Sequence, residues 1–315
     1  MTFTRPPAGD DPQWPRASDW LAGTLVSPTA AVREPLLRVI GVPCSVGSIS
    51  PSNAHATPPA VRQALARLSP YDPVNDVDLA QALRVIDHGD LDVAQLPLTE
   101  AIDATQRAIR ALPTNGVLLA IGGDNAITRP VVTGRLGDDL SRVGLITLDA
   151  HHDVRHLDDG PRNGTPVRGL LEDGMPGTHV VQIGIGRFTN SAAYASWCSD
   201  RGIRVITAPD VHTRGSAIII AEALDHLAEA GVERIHVDLD IDVLDVAYAP
   251  ACPGARPGGL TPHQLLEAAT LLGRDPRVSS ADLTEVDATT DHEGRTVMAT
   301  AMTLLAFATG VALRS

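Results

Sequence analysis

Short apolar runs recur along this chain with a regularity that few folds accommodate. They fall at Arg38–Val42, Leu83–Asp87, Val117–Ile121, Val143–Leu148, His179–Ile185, Ile203–Thr207, Arg234–Leu239 and Ala281–Val286. Each is rich in β-branched residues and has the length of a strand buried on both faces. The intervening segments Pro59–Leu68, Thr99–Leu112, Ser216–Ala230 and Thr261–Leu272 carry helical spacing. The first and last of these begin where a Pro follows a Thr, a helix-start signal. Strand–helix alternation predicts an α/β fold with a mostly parallel sheet of about eight strands, covered on both faces. Residues 1–36 are rich in Pro, Asp and Ser and show no sustained period, so they read as an N-terminal arm. Residues 37–315 read as one catalytic domain, without an internal repeat or a low-complexity linker.

Apolar residues make up 43% of the 315 and aromatics only 3%, so Ala, Val, Leu and Ile must build the core. A formal charge of −13, with no lysine in the chain, argues against a nucleic-acid surface, which needs clustered positive charge. It does not exclude an anionic substrate, because a local arginine pair can hold one on an acidic protein. Cys44, Cys198 and Cys252 form neither a disulfide framework nor a CxxC zinc site and suit a reducing compartment. The N-terminus lacks the basic start and apolar run of a secretion signal. No uninterrupted apolar stretch approaches the ~20 residues that span a bilayer. A cytoplasmic protein without nucleic-acid or membrane partners is the expectation.

In parallel sheets, ligands sit outside the carboxyl ends of the strands. One apolar run ends in Asp149-Ala150-His151-His152-Asp153, and another in Asp238-Leu239-Asp240-Ile241-Asp242, with Asp245 close behind. A third ends in Gly122-Gly123-Asp124-Asn125. Alternate residues of an extended segment point the same way, so Asp149, His151 and Asp153 can converge, as can Asp240 and Asp242. A buried carboxylate cluster repels itself by several kcal/mol unless cations sit between its members. Carboxylates with one imidazole suit Mn²⁺ or a similar divalent ion. A single DxD at a strand end is most often a solvated turn, and Gly122-Gly123 alone could be a tight turn. Two acidic motifs in one chain, each following an apolar strand, make the bland reading hard to sustain. His152 and His156 share the first loop but read as supporting or exposed residues, and His55, His88 and His236 as structural.

Together these motifs resemble the ureohydrolase family of arginases, agmatinases and formimidoylglutamases, over about Ile40 to Ala312. The resemblance extends to Asp240–Asp245, Ala249-Pro250, the Pro257–Leu260 turn and Glu285-Val286-Asp287. It implies a three-layer α/β/α fold and two Mn²⁺ ions. Asp149 and Asp240 would bridge the ions; His151 and Asp242 would complete one site, and Asp153 and Asn125 the other. Several segments are similar to the formimidoylglutamase branch of histidine degradation. They are Gly122–Asn125, Asp149–Arg155, Asn163–Pro166, Phe188–Ser191 and Ala249–Pro253. That branch implies hydrolysis of N-formimidoyl-L-glutamate to glutamate and formamide.

The implied roles follow residue by residue. Hydroxide made available by the ions would attack the amidine carbon, Glu285 would hold the amidine, and Asp153 would carry the proton to the leaving nitrogen. Asn163 would take part in binding and catalysis. Arg155 is the first candidate for the substrate carboxylates, followed by Arg187 and Arg168. Three positions depart from the wider family. Asn125 stands where a metal-binding His is usual, which predicts a looser ion on that side. Asn163 replaces a His, and Arg187 lies one place beyond the usual Ile-Gly-Ile-Arg position. The resemblance also implies a homo-oligomer, trimeric or hexameric. Two alternatives stay open: another amidinohydrolase acting on a guanidino compound, or a catalytically silent metal-binding relative.

Overall fold

A computed structural model of the protein describes Asp11, residues 13–25 and residues 36–314. The strands in chain order are β1 Leu36–Val42, β2 Tyr71–Asp72, β3 Val77–Asp78, β4 Arg84–Asp90, β5 Val117–Gly122, β6 Val143–Leu148, β7 Val180–Ile185, β8 Arg204–Thr207, β9 Arg234–Asp240 and β10 Val278–Thr284. Strands β2 and β3 form a small antiparallel hairpin. The other eight form one sheet in the order β4-β1-β5-β10-β9-β6-β7-β8, and every pairing in it is parallel. All eight apolar runs seen in the sequence lie on these strands. The last is displaced: Val278, Ser279 and Ser280 begin the strand, and Glu285-Val286 lies beyond its end.

The helices are α1 Ala17–Leu21, α2 Thr57–Leu65, α3 Leu79–Ala82, α4 Leu98–Arg110, α5 Thr128–Leu136, α6 Pro166–Glu172, α7 Ala192–Asp200, α8 Ala208–Arg214, α9 Ser216–Glu229, α10 Pro262–Arg274 and α11 Arg295–Ala312. Thr261 caps α10 through a reciprocal capping box with Gln264, as the Thr-Pro start predicts. Helices α10 and α11 pack closely enough that a Cβ at Gly310 would meet the Thr270 carbonyl oxygen at 2.1 Å. By length and composition alone the segment His292–Ala312 is long and apolar enough to cross a membrane, but here it is a core helix, mostly buried against α10 and α2.

On one face of the sheet, Leu37, Val39, Ile121, Ile146, Val237 and Leu283 join Val61, Leu265, Leu304 and Phe307 in a single core. The other face holds two smaller apolar clusters, one around Leu118, Ala120 and Val131, the other around Val132, Leu145 and Val180. From the expected N-terminal arm, α1 buries Ala17, Trp20 and Leu21 in the core, and the Trp20 indole donates to the Leu83 carbonyl at 3.2 Å. Its residues 1–10, 12 and 26–35 lie outside the described residues.

The chain leaves β5 and crosses over β10 and β9 to reach β6. The four strands β5, β10, β9 and β6 are therefore neighbours at the centre of the sheet, and every acidic motif stands at their carboxyl ends.

Candidate metal centre

Ligand atoms of Asp149, His151 and Asp242 all lie within 4.8 Å of one another. His151 Nδ1 stands 3.0 Å from Asp242 Oδ2 and 3.4 Å from Asp149 Oδ1. The loops hold these groups through their own amides. His151 N donates to Asp149 Oδ1 (2.6 Å), Ala150 N to Asp242 Oδ1 (3.3 Å) and Asp242 N to Asp240 Oδ1 (2.8 Å). Gly254 closes the site from the side, since a Cβ there would fall 1.9 Å from Asp242 Oδ2. Asp153 sits at φ 53°, in the left-handed region that a non-glycine residue adopts only under local constraint.

The electrostatics are those of a cluster without enough positive charge. Burial, then Asp242, pushes Asp149 up to about 7. Burial raises Asp153 and Asp240 well above the carboxylate range, with neighbouring carboxylates adding to the shift. Burial works against a charged His151 ring, but Asp242 and Asp149 outweigh it and raise the group to about 12. Burial alone would raise Asp242 too, and His151 reverses the sign. Among the described residues, the buried oxygens Asp124 Oδ2, Asp238 Oδ1 and Asp282 Oδ1 have no hydrogen-bond partner. Hard, deprotonatable oxygens with one imidazole nitrogen and unmet demand for positive charge fit a divalent ion of the Mn²⁺ type.

Asn125 lies on the other side of the cluster. Its Nδ2 donates to Asp153 Oδ2 at 2.7 Å and approaches Asp238 Oδ2 at 3.4 Å. Its Oδ1 accepts from Thr128 Oγ1 at 2.5 Å and Thr284 Oγ1 at 3.4 Å. In this geometry Asn125 offers the cluster its nitrogen and not the oxygen that a ligand role requires. Glu285, at φ 66°, hydrogen-bonds through Oε1, which accepts from Asn125 N (2.8 Å) and Asn163 Nδ2 (3.0 Å). Burial raises its carboxyl to about 6. Asn163 is itself held by Ile49 N on its Oδ1 (3.1 Å) and by its own N–H on the Gly47 carbonyl (2.9 Å).

The arginines divide. Arg155 is exposed beside Gly164 and makes no side-chain hydrogen bond among the described residues. Exposed Arg187 stands 5.4 Å from the ring centre of Phe188. Arg168 is buried, stacks 4.5 Å from the Trp197 ring and donates to the Val154 carbonyl, so packing already occupies it. His152 is buried on Gln182 at 2.6 Å, and His156 is exposed. His55 bonds Ser45, His88 approaches Arg38, and His236 lies between Ser280 and Asp282. The sequence reading gave no role to Asp124, Thr128, Thr284, Asp282 or Gly254. For Asp238 a signal existed: His236, Asp238 and Asp240 alternate on β9 and share one face.

The arginase family model matches residues 36–309. Formimidoylglutamase of Halalkalibacterium halodurans is 38% identical over 299 residues, covering 93% of each chain. The crystal structure of formimidoylglutamase from Bacillus subtilis superposes with a TM-score of 0.87 at 31% identity, covering 100% of this chain and 97% of that one. Formiminoglutamase of Trypanosoma cruzi, solved with Mn²⁺, gives a TM-score of 0.82 at 25% identity over 96% of this chain and 99% of that one. With these matches, and with its acidic motifs at the ends of four adjacent parallel strands, the chain belongs to the arginase family.

Proposed function

We propose that this protein hydrolyses the amidine C–N bond of N-formimidoyl-L-glutamate, giving glutamate and formamide, with two Mn²⁺ ions. The observation that carries this reading is the convergence of Asp149, His151, Asp153, Asp240, Asp242 and Glu285 from the ends of β6, β9 and β10. The 38% and 35% identities to formimidoylglutamases favour this amidine over guanidino substrates.

Asp149, His151 and Asp242 would hold one ion, with Asp240 and Asp153 serving the second. Bound ions supply a water acidified enough to act as a nucleophile near neutral pH. The chain's own residues then orient the substrate. Both Glu285 contacts fall on Oε1, which leaves Oε2 for an N–H of the amidinium, and the pair fixes the carbon in line. Asn163 braces Glu285 from the Gly47–Ile49 loop and so acts on the substrate through it. Asp153 would accept the proton that the attacking water gives up and deliver it to the departing glutamate nitrogen. Arg155, unoccupied by packing, pairs with a substrate carboxylate.

The test is a substrate panel with purified protein and Mn²⁺: formiminoglutamate beside arginine, agmatine and guanidinobutyrate. Formamide and glutamate should appear from the first alone. Urea from a guanidino compound would keep the metal chemistry and overturn the substrate. In the same assay Glu285→Gln should lose most turnover, and near-normal turnover and affinity would remove Glu285 from its role.

A further inference from the structure

Two central strands carry an unusual face. On β9 the alternate residues His236, Asp238 and Asp240 are all buried and polar, and so are Ser280, Asp282 and Thr284 on β10. Parallel register sets Ser280 beside His236, Asp282 beside Asp238 and Thr284 beside Asp240. The opposite face of the same strands is Ile235, Val237, Leu239, Ala281 and Leu283, all in the main core. A polar column therefore runs down from the metal site beneath α5 and separates the two apolar clusters of that face. Burying such groups inside a sheet is costly unless they are hydrogen-bonded or answer a need at the site.

The column holds two hydrogen-bonded groups side by side. His236 Nδ1 meets Ser280 Oγ at 2.8 Å, and His236 Nε2 meets Asp282 Oδ2 at 3.2 Å. Asp282 is the register partner of Asp238 on the neighbouring strand, and Asp238 Oδ2 receives Asn125 Nδ2 at 3.4 Å. That same nitrogen donates to Asp153 Oδ2. All four hydrogen-bonding sites of the Asn125 amide are thus answered, with two hydroxyls on its oxygen and two carboxyl oxygens on its nitrogen.

We infer that Asp238 is a positioning residue: set beside Asp282 on the neighbouring strand, it holds the Asn125 amide nitrogen-inward, and that amide in turn aims the Asp153 carboxylate at the second cation. Without Asp238 the amide loses the acceptor beside Asp153 and is free to turn, and the carboxylate it steers loses its orientation. Outer-shell partners of this kind typically change metal affinity by about 10–100-fold. This inference rests on the two-ion reading above.

The experiment is Mn²⁺ binding to the metal-stripped full chain, measured by equilibrium dialysis with elemental analysis. It compares the parent with Asp238→Ala, Asp238→Asn, Asn125→Ala and the double Asn125→Ala/Asp238→Ala variant. Asp238→Ala should weaken the looser ion by about 10–100-fold. Asp238→Asn keeps an acceptor for Asn125 and should stay within about threefold of the parent. The double variant should bind no more weakly than Asn125→Ala alone, because Asp238 works through that amide. If Asp238→Ala does not fold, Thr128→Val releases the amide oxygen from the other side and should weaken the same ion. Parent-like affinity in Asp238→Ala, or in Thr128→Val where that variant stands in, overturns the inference. Equal losses in the Asn and Ala variants reduce Asp238 to its charge and also overturn it. Losses that add in the double variant do the same. A parent chain that binds no Mn²⁺ overturns the two-ion reading and this inference with it, whereas a parent that binds two ions while Asp238→Ala is silent overturns the inference alone.

Discussion

The two ends of the central sheet treat buried charge in opposite ways. At the amino end, Arg135 is buried and donates to the carbonyls of Pro113, Thr114 and Gly116. Arg38, equally buried, donates to Asn115 through both its carbonyl and its side-chain oxygen. Both of these cations are answered by fixed dipoles of a single turn. At the carboxyl end, Asp149, Asp153, Asp238 and Asp240 crowd together with raised proton affinities, and Asp124 and Asp238 each keep one oxygen without a partner among the described residues. Charge that is satisfied from within the chain is structural. Charge left unsatisfied among preorganised loops marks a site that expects something from outside.

Substitutions at the two ends should separate activity from stability. The largest effect belongs to the carboxyl end: on the proposed mechanism, Asp149→Ala or Asp242→Ala should lower turnover about a thousandfold or more, since the water-activating ions would lose a ligand. Thermal unfolding of the metal-stripped Asp149→Ala variant should be no lower than the parent's, because a carboxylate repelled by Asp242 has gone, whereas Asp242→Ala strips His151 of its nearest partner. Retained turnover would break the comparison on the functional side. At the amino end, Arg135→Met strands three carbonyls and should cost about 3 kcal/mol in denaturant unfolding, with turnover per folded molecule unchanged. A loss of activity without a loss of stability there would break it on the structural side.

The pH dependence of the metal-stripped chain sharpens the same contrast. Asp149 rises from 3.8 to about 7, Asp124 from 3.8 to about 8 and Glu285 from 4.5 to about 6, each chiefly through burial. His151 rises from 6.5 to about 12 because its two carboxylate neighbours outweigh burial. Every one of these folded values lies above the unfolded one, so the stability they contribute is present at low pH and lost as pH rises through the folded values. Asp242, lowered, has the opposite sign, but its loss occurs below pH 3.8. Calorimetry of chelated protein should therefore give a Tm that falls between about pH 4 and pH 8, and saturating Mn²⁺ should remove most of that fall. The smallest effect is expected at the rim. Arg155→Ala should raise KM for formiminoglutamate about tenfold with kcat nearly unchanged, the signature of a contact made equally in ground and transition states.

Much of this molecule could be read from its residues, and what escaped did so for physical reasons. The parallel strands were visible because burial on both faces makes them continuously apolar. β10 was placed late because its buried polar residues Ser280 and Asp282 hide the start of an internal strand. Helix α11 drew no notice, since a helix buried around much of its circumference loses the amphipathic period that marks surface helices. The acidic motifs were legible because they follow apolar strands at alternate spacing. Their supports were not. The roles of Thr128, Thr284 and Asp282 depend on side chains meeting across separate strands and loops. The orientation of the Asn125 amide is set by four partners drawn from four segments, and no spacing in the chain encodes it.

The most direct test of the central claim, that the unsatisfied carboxyl end is a cation-dependent amidine hydrolase, is formamide release from formiminoglutamate by one protein sample in two states. Stripped of metal by a chelator and dialysed free of it, the chain should be inactive, and stoichiometric addition of Mn²⁺ should restore release of formamide and glutamate in equal amounts. Full activity in the stripped sample, or silence after Mn²⁺ has bound, would contradict the account.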